Sequence, residues 1–106
     1  MAFQHCDTTR LLLDIDQGLE MFGHGVKDVV YFRMNLAIKM DRVDIPHKPA
    51  EFVSFLEETF GPGFSAVEKS IIRAITNDFE LQEKNDSLTS VIIQARTRMY
   101  ESDVTV

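Results

Sequence analysis

The stretch at residues 44–72, DIPHKPAEFVSFLEETFGPGFSAVEKSII, decides the fold of this 106-residue chain. Pro49 suits the first turn of a helix, because its missing N–H would have no helical partner there, and Pro46 keeps the residue before it extended. Apolar residues then recur at three- and four-residue steps: Phe52, Val53, Phe55, Leu56 and Phe60. This spacing predicts a helix that begins near Lys48 and buries one face.

A second helix follows the turn Gly61-Pro62-Gly63. Gly61 stands where a helix commonly ends in a left-handed residue, and proline cannot continue that helix. We expect the next helix to start at Phe64 or Ser65, with Ser65 as its cap and Glu68 in the capping-box position. Its apolar face would contain Phe64, Val67, Ile71, Ile72, Ala74, Ile75 and Phe79.

The short turn predicts an antiparallel helical hairpin, or a steeper helix-turn-helix corner. Phe60 and Ile71 are the last and the central apolar residues of their respective faces. We therefore expect both to be buried, one on each side of the turn.

These motifs resemble the Nitrosopumilus output domain of the fifth type, a small archaeal helical domain. The resemblance covers residues 18–79 and rests on Val-Lys-Asp-Val-Val-Tyr-Phe (26–32), Asp44-Ile45-Pro46, Pro49-x-x-Phe52, Leu56, Phe60-Gly61-x-Gly63 and Val67-Glu68-x-x-Ile71-Ile72. It implies a helical fold and a role as the output module of a signalling protein. It brings no catalytic residues, and it leaves a helical extension at about residues 86–101 outside the matching core.

Helices are also expected on both sides of the hairpin. Asp7 or Thr8 can cap a first helix. Its buried face would contain Leu12, Ile15, Leu19 and Phe22, and its solvent-exposed face would contain Asp14, Asp16 and Glu20. After the turn Gly23-His24-Gly25, residues 26–40 are apolar around most of their circumference, which is typical of a central helix or of a subunit interface. Asp86 or Ser87 can cap a last helix. The prediction is an all-α bundle of four to five helices with no sheet, whose candidate structural turns contain Gly23, Gly25, Pro46, Pro49, Gly61 and Gly63.

Composition narrows the class of protein. With 106 residues, 44% of them apolar, the chain is expected to be a single globular domain over residues 1–106. No apolar run approaches a membrane span, and no secretory signal is apparent at the start. The one cysteine and the net charge of −6 favour a cytoplasmic protein and disfavour binding to nucleic acid.

The sequence contains few residues that could form a catalytic or metal-binding site. His5, Cys6, His24 and His47 are the soft metal ligands, and none of their spacings is that of a zinc site. Glu57 and Glu58 are adjacent on a helix and point apart, so they do not form an acid–base pair. The glycine turns follow helices and lack the lysine and hydroxyl of a phosphate-binding loop. We therefore expect no catalytic residues, no metal and no cofactor.

The functional prediction is a non-enzymatic protein-interaction module, a signalling output or regulatory adaptor that forms a homodimer. The expected dimer interface is the surplus face of the last helix, formed by Leu88, Val91, Ile92, Ala95 and Met99. One alternative is a regulator that binds a small ligand in an apolar pocket between the second and fourth helices. Another is a DNA-binding helix-turn-helix protein that uses Lys69 and Arg73, although acidic residues surround these two bases.

Overall fold

Five α-helices make up most of residues 8–81 and 87–104, the part of the chain that this computed structural model describes, with side chains as far as Met99. They are α1 (Thr9–Glu20), α2 (Val26–Ile38), α3 (Pro49–Phe60), α4 (Phe64–Phe79) and α5 (Leu88–Val104). Short 3-10 helices lie at Arg42–His47 and Gly61–Gly63. No strand occurs in these residues, and the all-α prediction is confirmed.

Helix α4 packs against α1, α3 and α5, and their inward side chains form one hydrophobic core. The largest fully buried side chains are Leu11, Ile15, Leu19, Met34, Ile45, Phe52, Leu56, Ile71, Ile75, Leu88 and Ile92. The closest approach is between α1 and α4 at Gly18, where a Cβ atom would lie 2.7 Å from the Cα of Ile71. The Ser70 hydroxyl donates a hydrogen bond of 2.9 Å to the Gly18 carbonyl at the same crossing.

The α3–α4 hairpin has the predicted boundaries. Pro49 occupies the first turn of α3, Gly61 follows the end of α3 with φ +53°, and α4 begins at Phe64. Ile71 is fully buried, as expected. Phe60 is only half-buried, because it lies at the end of its helix and packs against the edge of the core.

The expected capping box at the start of α4 is not present, since no side chain caps this helix. Glu68 instead accepts a hydrogen bond of 3.0 Å from the backbone N–H of Leu88 and so caps α5. Ser87 also caps α5, as predicted, by accepting from the N–H of Ser90 at 3.2 Å. Thr8 makes no side-chain capping bond to α1, while Asp7 and Asp86 lie outside the described residues.

Two boundaries near the second helix differ from expectation. Helix α2 ends at Ile38 rather than Met40, because Lys39 adopts the left-handed conformation with φ +56°. The 3-10 helix at Arg42–His47 was not predicted; Asp41 and Asp44 form a capping box at its start, and it contains the buried Pro46. The turn before α2 has Gly23 and Gly25 at positive φ, which suits glycine.

Helix α5 buries its apolar face within its own chain. Leu88, Val91, Ile92 and Ala95 are at most 3% exposed, and Met99 is partly buried against the same core. The face expected to form the dimer interface is therefore covered in a single chain, which corrects that prediction. In the described residues, no helix combines the length and the apolarity needed to cross a bilayer.

Candidate interaction surface

The outer side of α2 presents a row of exposed apolar side chains. Val29, Phe32 and Leu36 are 58%, 66% and 62% exposed, and we call these three residues the α2 strip. Their spacing of three and four residues places them on one side of the helix. Together they expose roughly 300–400 Å² of apolar surface, within the range of the largest patch on a typical monomer, which is often functional.

The opposite side of α2 attaches the helix to the bundle. Val30 and Met34 are the buried side chains of α2, and its main neighbour is α1. The side chains that enter the core are therefore different from those of the α2 strip. The all-round apolar character of this segment divides into an inner side that stabilises the fold and an outer side that faces water.

A polar network fixes α2 against α1 and the first 3-10 helix. The Asp16 carboxylate accepts a hydrogen bond of 2.6 Å from the Tyr31 hydroxyl and bonds of 3.1 and 2.7 Å from Nε and Nη2 of Arg42. Burial, and then the hydrogen bond to Asp16, raise the pKa of Tyr31 above its ordinary value. The hydrogen bond to Asp16 also raises the pKa of the Arg42 guanidinium. Tyr31 therefore stays neutral, and Arg42 stays positively charged, at neutral pH.

The beginning of α2 is held by Glu20. Its carboxylate accepts hydrogen bonds of 3.1 and 2.9 Å from the backbone N–H groups of Gly25 and Lys27. These donors would have no partner within the helix, and the positive end of the helix dipole favours a carboxylate there. The hydrogen bonds from Lys27 and then Gly25 lower the pKa of Glu20. The polar contacts of Glu20 and Asp16 do not involve the three side chains of the α2 strip.

A groove of about 820 Å³ runs beside the α2 strip, between α2 and α3. Its lining residues are Val29, Phe32, Arg33, Leu36, Ala37, Ile38, Phe55, Glu58 and Thr59. The groove is shallow and open, with the opposite charges of Arg33 and Glu58 among its walls. The ligand-binding alternative expected an apolar pocket between the second and fourth helices, whereas this groove lies between the second and the third.

A second groove, of about 510 Å³, lies between α1 and α4. It is lined by both bases considered for DNA binding, Lys69 and Arg73, and by the exposed Met21 and Phe22. Phe22 was expected inside the bundle, but α1 ends at Glu20 and the residue lies beyond it, 45% exposed.

One carboxyl group is buried at the far end of the α1–α4 contact. Asp14 is 7% exposed, and its Oδ2 atom has no hydrogen-bond partner in the described part of the chain. This residue was expected on the solvent-exposed face of α1, but the close packing of α1 on α4 buries it. Burial first, then the hydrogen bond to Asp78 and the charge of that residue, raise the pKa of Asp14 to about 7.

Asp78 itself stays ionised because Arg10 binds it. The guanidinium donates bonds of 2.9 and 3.0 Å to the two carboxylate oxygens of Asp78, and these bonds lower the pKa of Asp78. The same guanidinium lies 4.4 Å from the centre of the Phe79 ring. The cluster joins α1 to α4.

The two histidines in the described part of the chain, His24 and His47, are both exposed. His24 is exposed in its glycine turn, with Nδ1 3.9 Å from Oε1 of Glu20, and His47 is exposed after Pro46. His5 and Cys6 lie outside the described residues. Within residues 8–81 and 87–104, no three His, Cys, Asp or Glu side chains gather where they could hold a metal ion. Glu57 and Glu58 are exposed on α3, and Glu68 caps α5.

No protein-family model, no curated protein and no solved structure matches this chain. The resemblance to the Nitrosopumilus output domain therefore stays a prediction from the motifs.

Proposed function

We propose that this chain is a non-enzymatic protein-interaction module that docks a protein partner through the α2 strip. The observation that carries the proposal is the contiguous exposure of Val29, Phe32 and Leu36 on a helix whose other side is firmly attached. Aromatic and aliphatic side chains on a rigid element are the usual anchors of protein interfaces. The signalling-output role and the cytoplasmic location suggested by the sequence are part of this proposal.

A protein partner suits this surface better than a small ligand. Small-molecule sites enclose most of the ligand surface, whereas the α2–α3 groove is shallow and open along the α2 strip. The ligand-binding alternative keeps one supporting observation, the apolar lining of this groove by Ile38 and Phe55. Native mass spectrometry separates the two functions, because a bound ligand would add a constant mass to the 12.1 kDa chain.

The proposal is tested by photo-crosslinking in the cells from which the chain comes. A photoreactive phenylalanine analogue replaces Phe32, and the matched control places the same analogue at Leu13, which is 57% exposed on α1. We expect covalent protein adducts at position 32 and few at position 13. Equal labelling at both positions, or none at position 32, would refute a docking role for the α2 strip.

A further inference from the structure

We propose that the protein docked by the α2 strip is a second copy of this chain, with the two α2 helices antiparallel. This inference rests on the proposed function and names its partner. In a two-fold dimer the same patch is used twice, so the patch must be complementary to itself. Val29 and Leu36 lie at equal distances from the midpoint between positions 32 and 33. A two-fold axis at that midpoint brings Val29 of one copy opposite Leu36 of the other.

The centre of the patch is complementary to itself in the same register. Arg33 follows Phe32 and is exposed beside the α2 strip, where it lines the α2–α3 groove. The two-fold axis places the Phe32 ring of each copy opposite Arg33 of the other. A guanidinium over an aromatic face is an attractive contact. A bilayer or a wholly apolar partner would instead remove water from the Arg33 guanidinium and offer no compensating interaction, which costs free energy.

Charges at the two ends of α2 favour the antiparallel orientation. Asp28 lies in the first turn of α2 and Lys39 directly follows the last residue of the helix. Both are exposed, and about 100° per residue puts their Cα positions on the same flank of the α2 strip. Antiparallel pairing brings Asp28 of one copy to within roughly 3 Å, along the helix axis, of the level of Lys39 of the other. Parallel pairing would put Asp28 level with Asp28 and Lys39 level with Lys39, so it would form neither of these opposite-charge pairs.

The existing contact of Asp28 does not prevent this exchange. In the single chain its Oδ1 atom lies 3.5 Å from Nζ of Lys27, and the Asp28 side chain is 78% exposed. Ion pairs so exposed are weak, so Asp28 can turn to a second partner at little cost.

The area available predicts a weak, reversible dimer. Stable interfaces cover about 800 Å² on each partner, and the α2 strip offers roughly half of this. The rest must come from its rim, formed by Arg33 and Ala37 on α2, by Lys39 directly after α2, and by Glu58 and Thr59 on α3. An interface of this size belongs to the class of transient contacts, so we expect a dissociation constant in the micromolar range.

Sedimentation equilibrium of the full chain over micromolar concentrations tests the dimer. We expect a reversible transition between a 12.1 kDa monomer and a species of twice that mass. Phe32→Glu should weaken association on the order of 100-fold, because a charge would then be buried at the centre of the interface. Leu13→Glu, equally exposed but on α1, should leave association unchanged. Phe32→Ala should also weaken the dimer and adds no charge, should Phe32→Glu fail to fold.

A charge exchange tests the orientation. Asp28→Lys and Lys39→Asp should each weaken association several-fold, and the double variant should recover it, because the two charges then meet again in reversed order. Aspartate tolerates the positive φ of position 39 better than most residues do. Single variants without effect, or a double variant no better than either single one, would overturn the antiparallel arrangement.

These outcomes distinguish a failure of the dimer proposal from a failure of the proposed docking function. A native chain that stays monomeric throughout, while position 32 crosslinks to a different protein, would overturn the second copy and keep the docking role. A dimer that Phe32→Glu and Phe32→Ala leave unchanged would mean that another surface pairs the copies. Absence of every adduct at position 32 would overturn both proposals.

Discussion

Replacing Gly18 by alanine should destabilise the fold, although alanine is the better helix former. The added Cβ would lie 2.7 Å from both Cα and Cγ1 of Ile71. Real Cβ atoms do not approach other carbon atoms so closely, so α1 and α4 would have to move apart. A change of rotamer at Ile71 could relieve the contact with Cγ1 but not the contact with Cα, which belongs to the backbone of α4.

Two opposing effects determine how far Gly18→Ala lowers the free energy of unfolding. Overpacking of a well-packed core costs about 1–3 kcal/mol, and the contact with backbone argues for the upper part of this range. Alanine regains about 1 kcal/mol of helix propensity over glycine. We therefore expect the free energy of unfolding to fall by about 1–2 kcal/mol, which corresponds to roughly 4–16 °C in Tm for a domain of this size.

Gly63→Ala is the matched control. No atom lies within 4 Å of the Cβ position at Gly63, and its φ of −81° is ordinary for alanine. This variant should be close to neutral, because a gain of about 0.4–1 kcal/mol through the unfolded chain is offset by the poorer fit of alanine to the N-cap of α4. Urea unfolding followed by circular dichroism measures both variants, with an unchanged slope as the check that the unfolded states are comparable. If Gly18→Ala proves as stable as Gly63→Ala, the close contact between α1 and α4 does not exist.

Two further predictions concern the core and the buried carboxyl group. Phe52→Ala should cost about 3–5 kcal/mol because Phe52 is fully buried, whereas half-buried Phe60→Ala should cost clearly less; equal losses in urea unfolding would contradict the difference in burial. Asp14 has a folded pKa of about 7 against an ordinary 3.8, so the folded state holds a proton that the unfolded state releases, and stability should fall as pH rises through this window. Between pH 5 and 8 the loss should be on the order of 2 kcal/mol, and Asp14→Asn should flatten the dependence; an Asn variant with the native pH profile would show that Asp14 is not the group responsible.

The α3–α4 hairpin could be predicted from the sequence because its determinants are local. Pro49 fixes the first turn of a helix, Gly61 accepts a positive φ, and the apolar stripe of α4 has one period throughout. Each of these preferences acts over a few residues and needs no knowledge of what lies across the core.

The errors involve choices that only tertiary packing makes. Glu68 had a local capping partner available but bonds to Leu88, twenty residues further along the chain, because α5 docks its first turn beside α4. An apolar stripe such as that of α5 shows that a face is buried, without showing whether the same chain or another buries it. Asp14 resembled a solvent-facing acid by charge alone, and only the depth of the α1–α4 contact shows that it is enclosed.

The sequence predicted that α2 is either a central helix of the bundle or a helix at a subunit interface. In the structure the central helix is α4. Helix α4 contacts α1, α3 and α5, which leaves α2 at the edge with Val30 and Met34 inside. The three side chains of the α2 strip stay 58–66% exposed after folding, so most of their apolar surface contributes nothing to the free energy of folding. Asp16 and Glu20 hold this edge helix through polar contacts that do not involve the α2 strip. Folding therefore gives little reason for the apolar character of the exposed part of the α2 strip, and contact with another protein surface is the use that we propose for it.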